Sequence, residues 1–159
     1  MIERPSPNHD DRGGAPIDML VLHYTGMVSA EAALSRLCDP KAKVSAHYII
    51  DEDGTVYALV AEARRAWHAG LSFWAGLRSV NACSIGIELV NPGREFGYHA
   101  FPAAQITALK NLCREILARH SIPAARVLGH SDIAPARKED PGELFPWQRL
   151  ARAISEWNK

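Results

Sequence analysis

The sequence predicts an α/β fold: a single domain whose central mixed β-sheet is flanked by helices on both faces. Strand-like apolar runs alternate with segments of helical periodicity, and one hairpin pattern interrupts that alternation. The chain has 159 residues, which suits one domain, and it contains neither an internal repeat nor a linker. A chain of this length buries roughly 70% of its unfolded surface, so its core needs no metal or disulfide for stability.

Prolines and glycines mark the bounds of the N-terminal segment and of the first predicted strand. Residues 1–16 contain three prolines among mostly polar residues, which predicts an irregular N-terminal lead-in at the surface, followed by the domain over 17–159. Residues 17–24 form an almost unbroken apolar run between Pro16 and Gly26. Such a run is typical of a strand that is buried on both faces in the middle of a sheet.

A helix and a hairpin are expected next. Ser29 can cap a helix that continues to about residue 37, because its hydroxyl can accept a hydrogen bond from a backbone N–H group of the first turn. Residues 46–50 and 55–59 have strand character, and Asp53-Gly54 between them is a favourable turn dipeptide. These two segments therefore predict an antiparallel pair.

The second half of the chain continues the alternation. Residues 63–82 are rich in Trp, Gly, Ala and Ser without a clear period, which predicts a loop. Residues 84–90 predict another buried strand, and Pro102 suits the first turn of a long helix with apolar residues at helical spacing. A short strand over 126–130 precedes a proline-rich loop, and Pro146 opens the closing helix.

Composition and the N-terminal sequence argue against several functional classes. Eighteen Lys and Arg balance eighteen Asp and Glu, whereas proteins that bind nucleic acid or a membrane surface electrostatically depend on a positive field. The first ten residues hold no apolar segment, so we expect no signal peptide or anchor and a cytoplasmic protein, or a periplasmic one if a leader was removed. Cys38, Cys83 and Cys113 are widely spaced and odd in number, which predicts free thiols.

Polar residues follow two of the predicted strands at their ends. His23 closes the first buried run, His130 closes the last short strand, and Asp140 lies in the proline-rich loop that follows. Sites in open α/β sheets lie outside strand ends, and two imidazoles with one carboxylate leave the fourth position of a tetrahedral Zn²⁺ free for water. The pattern alone leaves other roles open, because a strand-end His is often a hydrogen-bonded structural residue and Asp140 can cap its loop.

A family resemblance favours the metal site over these alternatives. Six motifs resemble, in order, those of zinc N-acetylmuramoyl-L-alanine amidases of the bacterial AmpD and AmiD type, which are related to phage lysozyme-amidases and peptidoglycan recognition proteins. They are LHYTG at 22–26, SAHY at 45–48, DGTV at 53–56, AWHAG at 66–70, NACSIGIE at 81–88, and GHSDIAP at 129–135 with KEDPG at 138–142. The resemblance extends from about residue 17 to 147 and implies the peptidoglycan-recognition-protein and phage-amidase type of fold.

The resemblance also implies roles for single residues. They are zinc ligation for His23, His130 and Asp140, catalysis for Glu88 and Lys138, and substrate contact for Trp67, His68 and Asn81. Glu88 lies in an apolar strand, where an unpaired carboxylate is costly to bury, which by itself favours a functional or paired role. Lys138 can instead be a solvated charge, and His68 can instead support its loop. Phage relatives carry a catalytic Tyr where this chain has Ala46, so a tyrosine-assisted mechanism is not expected.

The implied reaction is zinc-dependent hydrolysis of the amide between N-acetylmuramic acid, or its 1,6-anhydro form, and L-alanine of the stem peptide. The implied partners are peptidoglycan fragments or muropeptides, with no nucleic acid and no membrane, while the oligomeric state is left open. Two alternatives are a module that binds muropeptide without cleaving it and a zinc peptidase of another kind. Asp140, present with Glu88 and Lys138, favours an enzyme over the binding module. A peptidase leaves the motif at 66–70 unexplained.

Overall fold

The computed structural model describes residues 1–157, which fold into eight strands and six α-helices. The strands are β1 (Ile2–Glu3), β2 (His9–Asp10), β3 (Met19–Tyr24), β4 (Tyr48–Ile50), β5 (Val56–Ala58), β6 (Arg65–Ala66), β7 (Ser84–Leu89) and β8 (Val127–Gly129). The helices are α1 (Ala30–Cys38), α2 (Val80–Cys83), α3 (Gly93–Phe96), α4 (Ala103–His120), α5 (His130–Ile133) and α6 (Trp147–Trp157). The last two residues of the predicted domain over 17–159 lie outside this described range.

Six of the strands form one mixed sheet in the order β1-β5-β4-β7-β3-β8. The β4–β5 hairpin is antiparallel, as predicted, whereas β4, β7, β3 and β8 run parallel to one another. The central strand β3 carries apolar side chains on both faces, which requires cover on both sides of the sheet, whereas its neighbour β7 has them on one face only. Because β3 and β8 are parallel neighbours, the residues that follow them meet at one edge of the sheet.

Helices cover both faces, which confirms the predicted class. On one face, Leu20 and Leu22 of β3 pack with apolar residues of α4 and α6. On the other face, Met19 and Val21 of the same strand pack near α2, α5 and β8, and α1 covers β4. Full burial of a Leu or Ile side chain contributes about 1.5–3 kcal/mol, so the alternation within β3 stabilises both layers. No helix within residues 1–157 has the length and apolar character to span a membrane.

The first sixteen residues differ from the irregular surface lead-in that the sequence predicts. Strand β1 pairs in parallel with β5 at the sheet edge, and β2 pairs with β6 in a second, two-stranded sheet. Ser6, Asn8 and Arg12 are buried, and the Asn8 amide donates to the carbonyl oxygens of Asp39 and Val44 at 2.8 Å. The segment is therefore irregular over most of its length but is held to the domain at two short strands and three buried polar side chains, whose long-range hydrogen bonds hydropathy does not reveal.

Candidate active site

Three predicted ligands meet at the sheet edge where β3 and β8 end. His23 is in β3, His130 follows β8 directly, and Asp140 returns to them from the next loop. The Nδ1 atoms of the two histidines are 3.0 Å apart. Asp140 Oδ2 is 3.1 Å from Nδ1 of His23 and 3.2 Å from Nδ1 of His130. All three side chains are buried. This cluster can hold a metal ion.

The distances within the cluster fit a tetrahedral cation. Nitrogen and oxygen ligands about 2.0 to 2.1 Å from zinc stand about 3.3 Å apart when the geometry is tetrahedral, close to the separations of 3.0 to 3.2 Å found here. His130 Nε2 donates to the carbonyl oxygen of Ala69 at 3.0 Å, so the neutral ring presents an unprotonated Nδ1 to the cluster. The donor set therefore suits a divalent metal.

The charge states of the cluster also suit a metal. Burial lowers the pKa of His23, which favours the neutral imidazole that metals bind. Burial alone would raise the pKa of the Asp140 carboxyl, but the close approach of His130 and His23 outweighs it and holds that pKa well below its ordinary value. These two shifts favour a neutral imidazole at His23 and an ionised carboxylate at Asp140, the forms in which these groups bind a metal.

Glu88 lies beside the cluster on the next strand. It pairs in register with His23 across β3 and β7, and residues paired in this way project from the same face of a sheet. Its Oε2 atom is buried and has no hydrogen-bond partner among residues 1–157. Burial and the charge of Asp140 raise the pKa of Glu88 well above its ordinary value, while Lys138 opposes that shift. An unpartnered carboxyl next to a metal cluster is available for proton transfer.

The cluster and Glu88 line one cavity of about 640 Å³, a size that suits a small-molecule ligand. Lys138, Arg36 and Arg137 line it together with Glu88, Glu139 and Asp140, so its basic and acidic side chains are equal in number. The whole chain is likewise neutral. Attraction of an anionic ligand would therefore depend on the position of each charge and on a bound cation, because no positive field of the whole protein exists.

The three predicted substrate contacts have different environments. Trp67 is half-buried and lines the cavity. His68 also reaches the cavity wall but is 8% exposed, and its Nδ1 lies 3.0 Å from His23 Nε2. The Asn81 amide oxygen accepts hydrogen bonds from the backbone N–H groups of His68 and Ala69 at 3.1 and 2.8 Å. Asn81 is not part of the cavity wall, so the structure assigns it support of this loop.

Sequence reasoning missed two residues that shape the site. Gly86 lies in β7 against the ring of His68, and a Cβ atom there would stand 2.4 Å from His68 Cγ. A glycine inside an apolar strand was the available signal, since it often marks the close approach of another group. Arg12 is buried and donates to the carbonyl oxygens of Glu62, Ala82 and Ser84. Nothing in its local sequence distinguishes it from a surface arginine.

Comparison with known proteins shows the family to which the chain is similar. Residues 13–143 match the Amidase_2 family model, described as N-acetylmuramoyl-L-alanine amidase. The chain is 42% identical over 154 residues to N-acetylmuramoyl-L-alanine amidase AmiD of Escherichia coli, with 89% of this chain and 55% of the relative covered. It is 35% identical over 167 residues to 1,6-anhydro-N-acetylmuramyl-L-alanine amidase AmpD of Enterobacter cloacae, with 92% and 86% covered.

A solved structure supports the fold. The structure of AmiD from E. coli in complex with its substrate anhydro-N-acetylmuramic acid-L-Ala-D-gamma-Glu-L-Lys superposes with a TM-score of 0.80 at 41% identity. This match covers 89% of the chain and 59% of the AmiD chain, so the present chain spans little more than half the length of that relative. The resemblance inferred from the motifs is confirmed, and the chain belongs to the N-acetylmuramoyl-L-alanine amidase family.

Proposed function

We propose that this protein is a zinc-dependent amidase that hydrolyses the bond between N-acetylmuramic acid, or its 1,6-anhydro form, and L-alanine of the stem peptide. The observation that carries the proposal is the meeting of His23, His130, Asp140 and the unpartnered Glu88 in one cavity. The names of its relatives AmiD and AmpD support the substrate class, peptidoglycan fragments with a muramyl–alanine amide.

Zinc is the metal that the donor set favours. His23 and His130 offer nitrogen and Asp140 offers oxygen, a combination found in catalytic zinc sites with an open fourth position. When bound, zinc supplies Lewis acidity and lowers the pKa of a coordinated water toward 7. The protein's contribution is to hold the three ligand atoms at tetrahedral separations in a buried pocket.

Glu88 is proposed to move the protons of the reaction. Its carboxylate accepts a proton from the attacking water and then delivers that proton to the alanine nitrogen as the amide bond breaks. The buried Oε2 has no competing hydrogen-bond partner within residues 1–157. Burial and the charge of Asp140 raise the pKa of Glu88, which makes its carboxylate a stronger base than an exposed one.

Lys138 is proposed to stabilise negative charge on the carbonyl oxygen. Its side chain lies in the cavity wall two residues before Asp140, and its backbone N–H is held by the carbonyl oxygen of Ala134 at 2.9 Å. A fixed positive charge beside a developing oxyanion typically contributes a few kcal/mol to the transition state. Trp67 offers an apolar surface in the same cavity, and Arg36 and Arg137 can attract the carboxylates of the stem peptide.

Mass spectrometry of digestion products tests the proposal. Purified protein with zinc is incubated with a 1,6-anhydro muropeptide and, separately, with intact sacculi, each with and without a chelator. We expect release of free stem peptide that the chelator abolishes. Binding of muropeptide without any release from either substrate, at full zinc occupancy, would establish the non-catalytic binding module instead.

A further inference from the structure

We propose that Ser84 and His68 form a proton-ordering pair that fixes the ring proton of His23 on Nε2 and so presents Nδ1 of His23 to the metal. The inference rests on the proposed metal site and gives His68 a positioning role in place of direct substrate contact. It concerns the Nε2 side of the His23 ring, which lies 3.0 Å from His68 Nδ1, whereas the Nδ1 side of the ring faces the cluster.

The hydrogen bonds assign each proton in turn. The Ser84 hydroxyl donates to the carbonyl oxygen of Val80 at 2.6 Å, because a carbonyl can only accept. Its single proton is then used, so Ser84 Oγ accepts from His68 Nε2 at 3.1 Å. A neutral imidazole has one N–H group, which leaves His68 Nδ1 as an acceptor. His23 Nε2, 3.0 Å from that atom, therefore donates to it.

The result is an unprotonated Nδ1 on His23 that faces the cluster. That atom is 3.0 Å from Nδ1 of His130 and 3.1 Å from Oδ2 of Asp140. Nδ1 of His130 is already free of a proton, since Nε2 of that ring donates to Ala69. Three lone pairs then converge with no proton among them, an arrangement that a cation stabilises. The adjacent residues His68 and Ala69 order the protons of both ligand histidines.

The His68 ring is held in the position that this role requires. It lies against the backbone of β7 at Gly86, where a Cβ atom would stand 2.4 Å from His68 Cγ. Asn81 fixes the backbone N–H of His68 at 3.1 Å. The His47 ring packs edge-on at 5.9 Å between centroids, and its Nδ1 accepts from the N–H of Gly86. No carboxylate within residues 1–157 hydrogen-bonds to His68, as expected for a buried neutral imidazole.

Loss of the pair should weaken metal binding. Without an acceptor at Nε2, the His23 proton can move to Nδ1 and donate to Asp140, and a metal must then displace it. Partners of this kind typically contribute 10- to 100-fold to metal affinity. Ser84→Ala removes the acceptor of His68 and leaves every ligand in place. His68→Ala removes the contact with His23 altogether, so its loss should be the larger.

The test combines zinc affinity with the ring protonation of His23. The zinc dissociation constant of metal-free protein is measured by competition with a chromophoric chelator, and nitrogen-15 NMR identifies which His23 nitrogen carries the proton. We expect Ser84→Ala to bind zinc about tenfold more weakly and to show Nδ1–H on His23. Ser6→Ala is the matched control, since it also removes a buried serine hydroxyl bonded to a backbone carbonyl, that of Leu37. It should leave both readouts unchanged.

The outcomes separate this inference from the proposed function. Wild-type zinc affinity in Ser84→Ala and His68→Ala, with the His23 proton still on Nε2, would overturn the proton-ordering pair and leave the metal site intact. Equal weakening by Ser6→Ala would also overturn it, because the effect would then be general destabilisation. Failure of the wild-type chain to bind zinc would overturn the metal site itself and the pair with it. Circular dichroism of each variant confirms that it is folded before zinc is measured.

Discussion

Glu62 and Glu88 are both at least partly buried, yet their pKa values are shifted in opposite directions. The Glu62 carboxylate accepts hydrogen bonds from Tyr48 at 2.7 Å, Arg119 at 2.7 Å and His120 at 2.5 Å. Burial alone would raise the pKa of Glu62, but these partners outweigh it and lower that pKa to about 2. Glu88 has no partner for Oε2 within residues 1–157, and burial raises its pKa well above the ordinary value.

The difference separates a structural carboxylate from a reactive one. Glu62 ties the segment after the β4–β5 hairpin to the end of α4, so its charge is compensated and contributes to stability. Glu88 faces the cavity beside the candidate metal cluster. Its burial without a partner for Oε2 lowers the stability of the fold, which is typical of a carboxyl that serves a reaction. Substitutions at the two positions should therefore affect different properties of the protein.

The largest expected effect is on turnover in Glu88→Gln. This change removes proton transfer and keeps the size of the side chain, so turnover should fall about 10²- to 10⁴-fold. Zinc content should stay at the wild-type level, because Glu88 is not a member of the ligand cluster. Stem-peptide release and metal analysis of the same sample measure both. Zinc content that falls in step with turnover would assign Glu88 to the metal instead.

Substitution of a cation near each glutamate should also affect different properties, turnover for Lys138 and stability for Arg119. Lys138→Ala should lower turnover about 10²-fold, since it removes a charge proposed to stabilise the oxyanion. Arg119→Ala removes a cation that contacts Glu62 and should leave turnover unchanged while it lowers the midpoint of thermal unfolding. Steady-state kinetics and thermal melts of both variants check this. Unchanged turnover in Lys138→Ala would remove that residue from the mechanism.

A smaller effect is expected on the stability of the folded chain. Glu62→Gln should lower the free energy of unfolding by about 1–3 kcal/mol, because charge-assisted hydrogen bonds become neutral ones. Glu88→Gln in zinc-free protein should cause no loss, since the carboxyl it replaces has no partner on Oε2. Urea unfolding compares the two variants. Equal losses would show that the two environments do not differ as described.

The last expected effect is on the pH dependence of the free energy of unfolding. The pKa of Glu62 is depressed from 4.5 to about 2, so its stabilisation is present above pH 4.5 and is lost as the pH falls from 4.5 toward 2. The free energy of unfolding should decline over that window in wild type and decline less in Glu62→Gln. Glu88 has the opposite sign, because its raised pKa favours the folded state at low pH. Parallel slopes in wild type and Glu62→Gln would contradict the assignment.

The ends of two predicted strands made His23 and His130 candidate ligands, and the family resemblance implied zinc ligation for both and for Asp140; the structure brings these three side chains together. His23 and His130 follow apolar runs, and parallel strands bring such ends to one edge of the sheet. Glu88 could be singled out because a carboxylate interrupts an apolar strand. The alternation of strands and helices likewise predicted both layers of the fold, since burial on two faces leaves a continuous apolar run.

Contacts between distant side chains could not be predicted in the same way. The proton order of His23 depends on His68 and Ser84, and their contact requires Gly86 to leave room for the His68 ring. Glu62 lies in a segment without a clear pattern, and its partners come from another strand and from α4. Hydrogen bonds of this kind depend on the packed register of the sheet, which hydropathy and periodicity do not encode.

Titration of zinc into metal-free protein, with stem-peptide release followed at each addition, tests the central claim most directly. We expect no release without metal, a linear rise in the rate of release as zinc is added, and a plateau at one equivalent of zinc per chain. Asp140→Asn, which removes one ligand charge, should need a large excess of zinc for any release. Release that is independent of zinc, or no release at saturation, would contradict the assignment of this cluster as the catalytic metal site.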